Sequence, residues 1–207
     1  MKHQIVKFLT ILSIIIAGAA SANAQFRYAP IVGAESTYLK FKQDLVDISH
    51  TFGYQAGVQA EMMFPGLGFG IDFGLLYNQL GAKVNLGQRK VWSSLGYGDE
   101  RVRLHYIQIP LHLRFKWTRM NGLEDIIAPF VYGGPDFNIL AGHGKCDAFK
   151  YAGGDLSLSV GGGVELLRRW QVSFNYCWGM TYALKTQLLD NYSARNRSYS
   201  FRVAYFF

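Results

Sequence analysis

Two carboxylates raise the first chemical question in this chain. Glu61 and Asp72 lie equidistant from the middle of Pro65-Gly66-Leu67-Gly68, so a hairpin centred there puts them face to face. Facing carboxylates can do general acid–base chemistry. They are also like charges that repel. Arg114 and Lys116, expected on the strand beside Asp72, are natural partners, and Glu165 and Arg202 can extend the set. A catalytic pair needs a cleft and a substrate path, and no pattern here supplies either. A salt-bridged network that satisfies buried charge is the favoured reading, and no catalytic residue is nominated. On that reading, Arg114→Ala loosens the structure or raises ion leakage.

Other reactive residues are scattered. His3, His50, His105, His112 and His143 form neither an HExxH nor an H-x-x-x-H pattern, so no metal or cofactor is expected. Gly66-Leu67-Gly68-Phe69-Gly70 lacks the G-x-G-x-x-G spacing of a phosphate loop and reads as turn and strand glycines. No Ser-His-Asp arrangement is legible. Cys146 and Cys177 are the two cysteines. A disulfide that pins a loop into a barrel mouth is one reading of them, and two separate thiols is the other.

The elements that position these residues alternate with period two. Phe52, Tyr54, Ala56, Val58, Ala60 and Met62 oppose Gly53, Gln55, Gly57, Gln59 and Glu61; after the turn, Phe69 to Asn78 repeats the pattern. Ile107, Ile109, Leu111, Leu113, Phe115 and Trp117 share one face of the next run, with charge gathered on the other. Pro110 removes a ladder donor there, which predicts a local irregularity. Phe130–Leu140 is weaker, because Gly133-Gly134-Pro135 predicts a bulge that shifts the facing. Leu156–Leu166 and Trp170–Thr181 alternate clearly, and Tyr28–Thr37 supplies a first strand. In the last stretch Tyr199, Phe201, Val203, Tyr205 and Phe207 line one face.

A strand so aromatic on one face needs an apolar partner, and lipid is one. The predicted fold is all-β: an eight-stranded antiparallel up-and-down transmembrane β-barrel. Short periplasmic turns at Phe64–Gly68, Thr118–Ile126 and Leu167–Arg169 alternate with four longer extracellular loops at Leu39–Thr51, Gln79–Arg101, Ala141–Gly153 and Tyr182–Arg197. No stretch after residue 24 holds the ~20 consecutive apolar residues of a membrane helix.

The first residues predict export. Lys2 and Lys7 precede a short apolar core, and Ser21-Ala22-Asn23-Ala24 has the small-residue pattern of a cleavage site. Residues 1–24 are thus expected to be removed, leaving 25–207 as one barrel domain. Removal takes two lysines, so a net charge of +7 becomes +5. The 23 Gly, 13 Tyr and 15 Phe of the whole chain suit a barrel better than a secreted sandwich.

With the strands in place, Tyr106-Ile107-Gln108-Ile109-Pro110-Leu111-His112-Leu113-Arg114-Phe115 resembles a strand of the PorT-like outer-membrane β-barrel family. Pro129-Phe130-Val131-Tyr132-Gly133-Gly134-Pro135 and Gly161-Gly162-Gly163-Val164-Glu165 share the likeness. The resemblance implies a Gram-negative outer-membrane barrel, and the family name, taken from a member tied to a protein-secretion system, suggests secretion-complex proteins as alternative partners. It brings no catalytic residues.

The partners expected from the residues themselves are outer-membrane lipid and lipopolysaccharide, since the four long loops carry 11 bases against 6 acids. The Tyr199-to-Phe207 strand is expected to signal to the barrel-insertion machinery. Export and the lack of a compact basic patch argue against nucleic acid. The resulting expectation is a monomeric, non-enzymatic barrel with a plugged interior and a structural, adhesive or assembly-partner role. An accessory subunit of a protein-secretion complex, or a narrow channel for small solutes, is the alternative.

Overall fold

The computed structural model describes residues 25–41, 47–64, 66, 68–85, 99–144, 149–186 and 193–207. The alternating runs form β1 (Gln25–Phe41), β2 (Asp47–Ser49), β3 (Thr51–Met63), β4 (Phe69–Asn85), β5 (Asp99–Lys116) and β6 (Ile127–His143). β7 (Phe149–Tyr151), β8 (Gly154–Leu166), β9 (Trp170–Gly179), β10 (Leu184–Thr186) and β11 (Ser193–Tyr205) follow. β1, β3, β4, β5, β6, β8, β9 and β11 pair antiparallel in chain order, and β1 pairs back to β11. The result is a closed eight-stranded barrel in which each long strand has a neighbour on both sides, which is what a lipid environment demands of a sheet. β2 adds to β4, β10 to β11 and β7 to β10, extending the wall at one end only.

The three short connections lie together at the other end. Gly66 and Gly68 take φ of 82° and 71° in the first turn, where glycine relieves the strain. The β8–β9 turn is tight enough to hold Leu167 and Arg168 at positive φ. Phe206 N–H donates to Arg169 O and Phe207 N–H to Tyr28 O, which ties down the last residues at this end.

Apolar side chains face outward over the middle of every long strand. Val32, Phe52, Leu75, Leu113, Val160, Phe174 and Phe201 are all exposed. An aromatic belt rims the short-turn end, with ring pairs Tyr28–Phe207, Phe69–Phe115 and Trp170–Tyr205. A second rims the other end, with Tyr54–Tyr77, Tyr176–Tyr199 and Trp178. Two such belts mark the interfaces of a bilayer. No described helix is long and apolar enough to cross a membrane; the crossing is made by strands.

Three details differ from the sequence expectation. β1 begins at Gln25 rather than Tyr28. Residues 130–140 keep one facing throughout: Phe130, Tyr132, Asp136 and Asn138 point inward, and the register with β8 runs unbroken past Gly133-Gly134-Pro135. The predicted bulge does not form there, because small and cyclic residues interrupt the pattern of types without interrupting the ladder. The β5–β6 register shifts instead between His105 and Tyr106. The ladder also lapses around Pro110: pairing with β4 skips Ile109 and Pro110, and pairing with β6 skips Leu111 and His112. Finally, the strands run far into the segments expected to be loops. β4 reaches Asn85 and β5 starts at Asp99, giving strands of 17 and 18 residues, whereas a bilayer needs only about 9–11. The excess stands above the outer belt.

Candidate functional site

The barrel interior is layered. Nearest the short turns lies a charged layer. The register places Glu61 opposite Asp72 on β3 and β4, and Gly70 opposite Arg114 on β4 and β5. Arg114 is 2% exposed and sits between the two carboxylates. Its Nε donates to Asp72 Oδ2 at 2.7 Å and its guanidinium to Glu61 at 2.9 Å. The same guanidinium lies over the Phe130 ring at 4.2 Å. Lys116 Nζ donates to Glu61 at 2.6 Å and to Glu165 at 2.9 Å. Gln171 bridges the group, donating to Glu61 and Glu165 and accepting from Arg114.

The structure thus brings together Glu61, Asp72, Arg114, Lys116 and Glu165. It does not bring in Arg202. Arg202 is buried but joins none of the salt bridges among the described residues. Its register partners are Gly33 and Ser173, above the charged layer. Arg27 takes the place expected for it. Arg27 lies opposite Glu61 in the β1–β3 ladder and bonds Glu61 at 2.7 Å and Glu165 at 2.5 Å. Three bases (Arg27, Arg114, Lys116) therefore meet three acids (Glu61, Asp72, Glu165), and the formal charges cancel. Buried ions persist when paired and hydrogen-bonded in this way.

The middle layer is rich in amides and hydroxyls. Asn78 donates to Gln108 and Asn138 to Ser157. Asp136 accepts from His112 Nε2 at 2.8 Å and also from Ser159. Serine, histidine and aspartate do meet here, but both partners bond to the aspartate, so the serine hydroxyl has no imidazole on it. That arrangement satisfies buried polarity and activates no nucleophile. The Cys177 thiol also points to Asp136, 3.9 Å away. Cys146, and with it the Cys146–Cys177 pairing, lies outside the described residues.

The top layer is apolar. Leu39, Leu80, Ala82, Val84, Val102, Leu104, Phe149 and Leu184 pack into one buried cluster. β7 and β10, which extend the wall at this end, contribute Phe149 and Leu184. Interior space is scarce: a cavity of about 10 Å³ lies between Asp72, His112, Arg114, Tyr132 and Arg202, room for about one water. Gly161 shows how tight the filling is. A Cβ there would stand 2.7 Å from the Tyr132 hydroxyl. A larger pocket of about 420 Å³ opens at the short-turn mouth, lined in part by Arg27, Lys116, Glu124, Glu165 and Arg168. No cluster of metal-ligating side chains occurs among the described residues.

A closed strand barrel with apolar flanks between two aromatic belts defines an integral outer-membrane β-barrel protein. The chain belongs to the outer membrane protein beta-barrel domain family, whose model matches residues 19–184. Its place is the cell outer membrane, which fixes the short-turn end as periplasmic. OprG from Pseudomonas aeruginosa shares the fold at a TM-score of 0.52 and 12% identity, over 88% of this chain and 95% of that one. Two other barrels align with lower scores. Ail of Yersinia pestis gives 0.41 at 11% identity over 88% and 99% of the two chains. The outer membrane enzyme PagL gives 0.44 at 10% over 83% and 97%. At these identities the likeness is one of fold alone. No curated protein matches the sequence significantly.

Proposed function

We propose that the protein is a monomeric, non-enzymatic barrel with a closed lumen. It acts through its two ends, in a structural, adhesive or assembly-partner role. The observation that carries this reading is the stacking of two buried layers inside the wall, the neutral charged layer below and the apolar cluster above. An eight-stranded barrel is only wide enough for side chains, and here they occupy it. On this reading solutes have no path through the axis.

Planar-bilayer recording of the refolded chain in high salt tests it. Folding is shown separately by a heat-dependent gel shift. Silence is the expected result; stable single-channel steps overturn the closed lumen and favour a channel for small solutes.

A second reading rests on the PorT-like resemblance: an accessory subunit of a protein-secretion complex. The 420 Å³ pocket at the periplasmic mouth, with charges of both signs on its walls, offers a foothold for a periplasmic partner. Affinity purification from the native outer membrane separates the two readings. A partner lost on Arg168→Glu, an exposed position on the β8–β9 turn, supports the accessory role.

A further inference from the structure

The bases expected in loops are, in seven cases, on strands. Lys40, Lys83, Arg101, Lys150, Lys185, Arg195 and Arg197 all lie within paired segments, with their side chains on the outside of the wall. Their register is unusual. Lys150 sits directly opposite Lys185, and Lys40 directly opposite Arg195. Like charges facing each other across strands are destabilising. β10 meets β11 with Lys185 opposite Ser193, two residues outward of Arg195, so the Lys150–Lys185 pair lies a step above the Lys40–Arg195 pair. None of these bases is in a salt bridge among the described residues.

Height decides what each pair faces. Arg197 lies two residues beyond Tyr199 of the outer belt; it bonds the Tyr176 hydroxyl at 2.8 Å and lies over Trp178 at 5.0 Å. Arg195 is the next outward residue and lies over Tyr182. At about 3.3 Å per residue, Arg195 and Lys40 stand roughly 7 Å past Arg197 and Tyr38. They point sideways at the level where headgroups begin. Lys83 and Arg101 also face each other, but Lys83 is six residues beyond Tyr77, roughly 20 Å up the strand, and Lys185, level with Ser193, is likewise six residues beyond Tyr199.

We propose that the outward face of β11 and β1 just above the outer aromatic belt binds the phosphate-bearing headgroup of an outer-leaflet lipid. Lys40 and Arg195 supply the charge, and Arg197 forms the lower edge. One phosphate bridging the like-charge pair turns repulsion into attraction.

The test uses the full mature chain refolded in phosphatidylcholine bilayers. Quenching of tryptophan by brominated phosphatidic acid is compared with quenching by brominated phosphatidylcholine at the same fraction. Trp178 beside Arg197 reports on the site, and a Trp178→Phe control isolates its signal. The expected result is several-fold enrichment of the phosphomonoester lipid. It falls to parity in Lys40→Gln/Arg195→Gln and persists in Lys83→Gln/Arg101→Gln. All these side chains are outside the barrel, and the gel shift shows each variant folded. Equal quenching by both lipids overturns the proposal, as does equal loss in the upper pair. Binding of a soluble sulfated glycan without lipid enrichment reassigns the Lys40–Arg195 pair to a soluble polyanion and also overturns the proposal.

Discussion

Arg114 is the residue on which the charged layer turns. It separates two carboxylates that the hairpin forces together, bonds both, and covers Phe130. Arg114→Ala leaves Glu61 and Asp72 facing each other in a buried site. Removing one partner of a buried ion pair costs about 3–5 kcal/mol, so the unfolding midpoint in urea is expected to fall accordingly. Arg114→Lys keeps the charge but not the planar fork that spans both acids, and its loss should be smaller. Urea titration of the refolded variants, followed by tryptophan emission, ranks them; a lysine variant as weak as the alanine one would show that geometry alone matters. The meeting of Glu61 with Asp72 was legible because a hairpin is symmetric about its turn. Arg202 was placed on the correct face but at the wrong height. Parity gives the face of a residue, whereas its height depends on the stagger between strands that barrel closure imposes. Arg27 escapes the sequence reading for a simpler reason, since a first strand starting at Tyr28 rather than Gln25 leaves it out.

At the scale of the strand, the outer ends of β4, β5 and β1 invert their hydrophobic phase without changing their facing. On β4, Phe69 to Tyr77 turn odd-numbered apolar residues outward to lipid, then Leu80, Ala82 and Val84 turn even-numbered ones inward. β5 does the same in reverse order, with Val102, Leu104 and Tyr106 inside and Ile107 onward outside. The reason is solvent. Within the bilayer the outside must be apolar, while above it the outside meets water and the apolar core must be within. A reader following one phase sees the alternation stop and assigns a loop there. Leu104→Ala is expected to lose about 2–5 kcal/mol, measured by urea unfolding, because Leu104 is fully buried in the upper cluster. The terminal strand makes a different prediction. Phe207 packs on Tyr28 and bonds its carbonyl beside the seam where β11 meets β1. If this strand is the handle for the insertion machinery, Phe207→Ala lowers the folded yield in the outer membrane of cells and leaves refolding in detergent nearly unchanged. Equal losses in both settings would make Phe207 a packing residue only.

At the scale of the whole molecule, the charged layer and the apolar cluster lie in series along one axis, and on the closed-lumen reading this changes what a leak experiment can show. Current through stacked constrictions is limited by the tighter one. Breaching the charged layer by Arg114→Ala opens the periplasmic half onto the apolar cluster, which excludes hydrated ions because they cannot shed water into it. Breaching the upper cluster by Phe149→Ala/Leu184→Ala opens the outer half onto a charged layer whose side chains remain fully paired. Each breach alone is therefore expected to stay silent in a planar bilayer, although each destabilises the barrel. The triple variant joins the two halves through the middle layer of amides and hydroxyls, which water can wet. Conductance should appear only there, and non-additively. Current from Arg114→Ala alone would show that the upper cluster does not seal and would leave the charged layer as the sole closure. The layering also explains how so narrow a barrel holds three acids and three bases in its lower half: the upper cluster keeps bulk water from one side, and mutual pairing offsets the desolvation that follows.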